Sequence, residues 1–405
     1  MPHCREYYDA TAAVSARREE GDVTTEVVIP GRIDRVAALT EAAADTPEIV
    51  IDLDVVRANI VRAAGMAREA GVSVRPHVKT HKLPQIAWLQ VEAGAVGVQV
   101  AKLGEAEVMA AAGIEDILVG YPVVGAGKLG RLCDLAGRVS VTVTVDSREV
   151  AEGISRAAAD RGLVIRALLE LDTGMHRLGV PPGPAAVELA ERIESLPGLG
   201  LAGVFTHEGH VYTQGRDMVE KERLTRESCA AAVGVAEELR GRGMAAPVVS
   251  VGSAGTFRFS IRCPGVTEVR PGTYVFNDRS QIAQGAATDD DLAAFAIATV
   301  VARPAPDRLV LDAGSKVLTS DRMLVPDAPG SFGRVWGHDS WDVVALSEEH
   351  GIVEVPPGAE VRVGDRVAIV PNHICPAINL ASTVTVVEGG EVTGRWAVAA
   401  RGLVQ

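Results

Sequence analysis

The 405-residue sequence is short of aromatic side chains (4%), has five cysteines at irregular spacing, and contains no apolar run long enough to span a membrane. Each shortage excludes something. Cys4, Cys133, Cys229, Cys263 and Cys375 are odd in number and lack framework spacing, which predicts reduced thiols rather than a disulfide scaffold. The N-terminal stretch MPHCREYYDATAAVSARREEGD has no apolar signal core, so a cytoplasmic protein without membrane attachment is expected. A formal net charge of −13 repels polyphosphate backbones and argues against a nucleic-acid partner. No GxGxxG follows the first strand-like run, which counts against an open dinucleotide-binding sheet.

What is present is a globular composition, 47% hydrophobic and 23% charged, in a chain too long for one core. After EIVIDL (48–53) and a helix starting at Asp54, strand-like runs alternate with helical ones. The strand-like runs are VSVRPHVK (72–79), GVQV (97–100), DILVG (116–120), SVTVTVD (140–146), VIRALLELD (164–172), LAGVFTH (201–207), PVVSVG (247–252) and EVRPGTYVF (268–276). Repeated βα order implies parallel strands, and eight of them in about 210 residues can close into a TIM-type (β/α)8 barrel over residues 54–285. From about residue 290 short β runs separated by Gly, Pro and Asp predict an antiparallel β domain, formed by 286–405 with 46–53. Residues 1–45 read as an extension with a short helix near Ile33 to Ala44.

Polar residues collect at the ends of the barrel strands. In RPHVKTHK strict alternation puts Arg75, His77, Lys79 and His81 on one face, a crowd of cations that calls for an anion or cofactor, or else marks a solvated basic loop. LELDTGMHRLGV adds Asp172, His176 and Arg177 after the fifth strand, and THEGHVY adds His207 and His210 after the sixth. The turn VGSAGTF carries Ser253, Gly255 and Thr256, and RPGTY carries Arg270, Gly272 and Thr273. Loops after the seventh and eighth strands are where many barrels hold a phosphate. In PNHICPAIN, His373 and Cys375 stand two residues apart, a thiolate and an imidazole suited to zinc or a similar ion, although a buried inert cysteine is the commoner meaning of such a pair. Glu348, Glu349 and His350 read either as partners behind that pair or as a charged turn.

Taken in order, RPHVKTHK, DTGMHRLG, GSAGT, RPGTYVFND, DAGSK, SEEHG and PNHICPAIN resemble the D-threonine aldolase and D-serine dehydratase family of alanine-racemase-like pyridoxal-phosphate enzymes, from about residue 46 to the C-terminus. The resemblance implies a Schiff base between Lys79 and pyridoxal 5'-phosphate, with His77 and Arg177 beside the cofactor. Ser253, Gly255, Thr256, Gly272 and Thr273 would then surround its phosphate and Arg270 its pyridine nitrogen. It implies that His373 and Cys375 hold a divalent metal, zinc or manganese, and that Lys79, His207 and His210 are the candidate catalytic groups. The expected activity is a metal-dependent lyase of β-hydroxy D-amino acids. Retro-aldol cleavage to glycine and an aldehyde is the first expectation, and dehydration of D-serine or 3-hydroxyaspartate to a keto acid and ammonia the alternative. A racemase or a non-catalytic cofactor carrier are further alternatives. The expected partner is a small amino-acid substrate, and a homodimer is expected by analogy.

Overall fold

The computed structural model describes residues 32–323 and 330–405. Of the expected N-terminal extension, residues 1–31, with Cys4, lie outside the described residues, while its helix is present as Arg32–Ala42. The four described cysteines are free and buried. Among the described residues no helix is long and apolar enough to cross a membrane.

All eight expected barrel strands form: Ser73–Val74, Val98–Val100, Asp116–Val119, Ser140–Val145, Ile165–Leu171, Leu199–Thr206, Val248–Val251 and Glu268–Val269. Each pairs in parallel with the next, from the second to the eighth, and the eighth pairs with the first. The first and second strands are joined by Val96 N–H to Val74 O (3.0 Å) and Gln99 N–H to Pro76 O (2.8 Å). Helices cover the outer face of these strands and the barrel interior buries the inner one, which is why they read as Val- and Ile-rich runs instead of clean alternation. One such helix, Arg148–Ala159, is N-capped by the Ser147 side chain and turns Val150, Ala151, Ile154 and Ala158 inward, one apolar stripe at helical spacing.

The second sheet has nine strands and is mixed, which corrects the expectation of an antiparallel domain. Its strand Glu48–Asp52 pairs antiparallel with Ala294–Ala305 but parallel with Thr383–Glu388. All five residues of Glu48–Asp52 are buried. Asp52 ends the strand by accepting the Val55 amide (3.2 Å), so it caps the helix Leu53–Glu69 that carries the chain into the barrel. Arg35, from the N-terminal helix, closes the same corner by donating to Asp52 at 3.0 Å.

Two links bring the second sheet to the barrel mouth. The short helix Ile374–Leu380 packs on the turn Val78–Thr80. Asp278, fully buried after the eighth barrel strand, accepts the Ile374 amide at 3.1 Å.

Candidate active site

The first barrel strand stops after two residues, and the chain winds into a single 3-10 turn, Val78–Thr80, capped by the His77 side chain. Strict alternation therefore fails, and the expected four-cation face does not form. Arg75 points into the barrel, where Glu268 (2.8 Å) and Asp116 (2.7 Å) neutralise it. His81 is fully buried against Gln90, its pKa pushed down to about 3 by burial, and its ring accepts the Leu83 amide at 3.0 Å. Lys82 forms a buried pair with Glu105 at 2.7 Å. Internal carboxylates and dehydration thus account for three of the five basic residues from 75 to 82, leaving His77 and Lys79 facing the mouth.

Lys79 is exposed to solvent, although protein packs densely around it. Burial there pulls its ammonium pKa down, and Arg177 pulls the same way against Cys375 and Glu105. His77 and His207 are held well below the ordinary imidazole value, first by burial and then by Lys79, with Arg270 also acting on both. Lys79, His77, His207, Arg177, Arg270 and Cys375 are thus one electrostatic neighbourhood, and both imidazoles are neutral at pH 7.

His210 stands apart from this group. It is buried behind the loop after the fifth strand, where a Cβ on Gly174 would come within 3.2 Å of its ring. Its Nε2 meets Ser228 Oγ at 3.4 Å, and the charges acting on it are Glu208, Asp172 and His176. Asp172 and His176 build the loop itself. Asp172 accepts the amides of Gly174 and His176 (both 3.0 Å) and meets the His176 ring at 3.0 Å. Of Asp172, His176 and Arg177, the polar residues expected at the end of the fifth strand, Arg177 alone is among the charges acting on Lys79.

Arg270 is locked in place. Its guanidinium lies 3.6 Å over the Phe205 ring and donates to Ser250 Oγ (2.6 Å) and Thr206 O (2.5 Å). Its Nε is buried with no hydrogen-bond partner among the described residues.

The seventh-strand turn is tied together by Glu208 and Tyr212, two residues that lay inside the THEGHVY string without being singled out. Glu208, fully buried, accepts from the Gly252 amide (2.9 Å), Thr256 Oγ1 (3.3 Å) and Ser260 Oγ (3.0 Å). Tyr212 OH accepts the Gly255 amide at 3.2 Å, and Ser253 Oγ meets Thr256 Oγ1 at 2.9 Å. A Cβ on Gly255 would fall 2.6 Å from the Tyr212 ring. One on Gly272 would fall 3.0 Å from Thr80 Oγ1 and 3.2 Å from His77 O, so the eighth-strand turn passes directly over the lysine turn.

From the second sheet, Cys375 Sγ reaches the same place, 3.3 Å from Thr80 Oγ1 and 3.7 Å from Thr273 Oγ1. Burial alone would raise the thiol's pKa, but the adjoining His373 brings it down, and the attraction of Cys375 and Asp321 raises that of His373 despite burial. The partner behind His373 is Asp321, which meets Nδ1 at 3.1 Å and leaves Nε2 for a ligand. The segment proposed for that role, Glu348 to His350, is an exposed turn in which Glu349 pairs with Lys316 and His350 with Ser347.

The chain matches known proteins along most of its length. The alanine racemase N-terminal domain family matches residues 51–280, and a serine dehydratase domain family matches 293–387. D-threonine aldolase from an Arthrobacter species is 35% identical over 366 residues, 89% of this chain and 94% of that one. The crystal structure of D-threonine aldolase from Filomicrobium marinum superposes with a TM-score of 0.84 at 33% identity, covering 90% of this chain and 98% of that one. D-threo-3-hydroxyaspartate dehydratase from a Delftia species superposes at 0.80 with 33% identity, covering 88% and 98%. A cysteine-to-alanine variant of D-threo-3-hydroxyaspartate dehydratase, also at 0.80 and 33%, is described as metal-free. By these matches the chain belongs to the D-threonine aldolase and D-serine dehydratase family of alanine-racemase-like, pyridoxal-phosphate-dependent lyases.

Proposed function

We propose that this protein is a metal-assisted lyase that cleaves β-hydroxy D-amino acids of the D-threonine type into glycine and an aldehyde. The observation that carries this reading is the approach of Cys375 to Thr80, the residue after Lys79, which makes the His373–Cys375 pair part of the lysine site.

The residues fit the cofactor. The buried Arg270 Nε, with both terminal nitrogens of its guanidinium hydrogen-bonded within the barrel, is a donor suited to an unprotonated pyridine nitrogen. Lys79, its pKa lowered, would hold the aldehyde carbon covalently. The turns Ser253, Gly255, Thr256 and Gly272, Thr273 would take the phosphate, with His77 and Arg177 at the ring's edge. His373 and Cys375 would hold a zinc or manganese ion with open positions for water and substrate, since two protein ligands do not close a coordination sphere. When bound, the cofactor supplies an electron sink for the bond broken at Cα, and the metal acidifies the β-hydroxyl. His207, neutral and beside Lys79, takes the hydroxyl proton; His210 is buried behind the loop, and the charges acting on it are Glu208, Asp172 and His176 rather than Lys79. Release of that proton lets Cα–Cβ cleavage convert D-threonine to glycine and acetaldehyde.

The same side chains support a second reading, favoured by the similarly close dehydratase fold, with a TM-score of 0.80 against 0.84 for the aldolase. If Lys79 takes the Cα proton, the β-hydroxyl leaves and a keto acid and ammonia result. A racemase would need a second acid–base group opposite Lys79, and a bare cofactor carrier would have no use for His373 and Cys375 at the lysine.

Replacing Lys79 with alanine should abolish the yellow chromophore and turnover together. His373→Ala or Cys375→Ala should keep the chromophore and lose metal-dependent turnover. A yellow, active Lys79→Ala protein contradicts the assignment.

A further inference from the structure

A ladder of hydrogen bonds runs from Arg270 down through the barrel interior. Arg270 Nη1 donates to Ser250 Oγ at 2.6 Å, and Ser250 Oγ donates its single proton to Glu268 Oε1 at 2.5 Å. The other Glu268 oxygen accepts from Arg75 Nε at 2.8 Å, and Arg75 Nη1 donates to Asp116 at 2.7 Å. Asp116 then accepts from Arg166 at 2.8 Å, on the far rim, where the arginine side chain is 48% exposed. Arg270, Ser250, Glu268 and Arg75 are all at least nine-tenths buried.

The order of groups fixes the direction of every bond. Arginine can only donate and an ionised carboxylate can only accept, so the Ser250 hydroxyl must accept from Arg270 and donate to Glu268. Two short contacts on one hydroxyl polarise each other in this buried interior. Charges alternate along the ladder, and of the carboxylates acting on Arg270, Glu268 is the strongest. Glu268 itself is fixed from behind by Arg75.

We propose that Glu268, acting through Ser250, is the positioning residue for Arg270, holding its guanidinium so that Nε faces the cofactor ring. The inference rests on the reading that Arg270 borders the pyridine nitrogen. On this account the ring's electron-withdrawing power is set two residues away from the cofactor. The competing possibility is that Glu268 serves Arg75 and Asp116 alone, as a brace of the barrel floor.

Ser250→Ala separates the two, because it cuts the link to Arg270 and leaves the Arg75–Glu268–Asp116 pairs whole. In the holoenzyme, Ser250→Ala should keep the circular-dichroism spectrum, weaken equilibrium binding of pyridoxal phosphate by about tenfold, and move the pH at which the bound-cofactor absorbance titrates. Glu268→Gln removes a negative charge near the ring, so that midpoint should fall by about one unit. The double variant should be no worse than the worse single one, because both interrupt one path. A Ser250→Ala protein with wild-type affinity and an unmoved titration overturns the proposal, whether or not Glu268→Gln folds. A wild-type chain that takes up no cofactor also overturns it, and is recognised separately, since it removes the reading of the site before any variant is made.

Discussion

Glu170 sits in the fifth barrel strand, 3% exposed, with Oε2 unpartnered among the described residues. Burial pushes its pKa up to about 7, with Asp146 acting in the same direction and Thr144, Arg177 and Arg270 against it. Thr144 is near enough to lower the pKa, but its hydroxyl makes no hydrogen bond of good geometry. A raised carboxyl pKa means that the folded chain keeps a proton which the unfolded chain releases near 4.5. The resulting penalty is absent below 4.5, grows as pH rises toward 7 and is fully present above it. Glu170→Gln should therefore stabilise the protein by on the order of 3 kcal/mol at pH 8 and by little at pH 4. Thermal melts at the two pH values check this, and an equal gain at both would contradict it. The signal for Glu170 is a carboxylate between Leu169 and Leu171 in VIRALLELD; Asp172, one alternation later, organises a loop instead.

The element that matters most is the lysine turn. RPHVKTHK was recognisable as chemistry-bearing at a strand end, but alternation could not say where the ladder of backbone bonds stops. His77 N–H bonds to Pro271 O at 2.9 Å, and beyond it the backbone leaves the sheet for the 3-10 turn. The partners of Arg75 and Lys82 lie far off in sequence, at Glu268, Asp116 and Glu105, so the sequence showed five basic residues without the carboxylates that neutralise two of them. Lys82 leaves the turn at φ +56°, a left-handed conformation for a side-chain-bearing residue, and its Nζ is held by Glu105 and by Ala400 O at 3.4 Å. Glu105→Gln would leave a buried ammonium without its counter-charge, so a loss of about 3 kcal/mol is expected, together with a lower content of bound cofactor as the turn loosens. Pairing Lys82→Met with Glu105→Leu should recover most of the stability. Melting temperature and chromophore content measure both, and a Glu105→Gln protein as stable as wild type would rule the anchor out.

At the scale of the whole molecule, one sheet brings the lysine and the phosphate turns, and the other brings His373 and Cys375. The βα rhythm made the barrel legible, and the two-residue spacing in PNHICPAIN marked His373 and Cys375 as candidates for a metal. Neither pattern could reveal that Glu48–Asp52 lies parallel to a strand more than 300 residues later, because nothing local encodes a partner that distant. Nor could spacing identify Asp321, which reaches His373 from 52 residues upstream. The juxtaposition of the two sheets is what the functional reading depends on, and its most direct test is product analysis with D-threonine. The account predicts equimolar glycine and acetaldehyde, lost on treatment with a chelator and restored by zinc or manganese. A keto acid and ammonia in their place, or cleavage indifferent to the chelator, would contradict it.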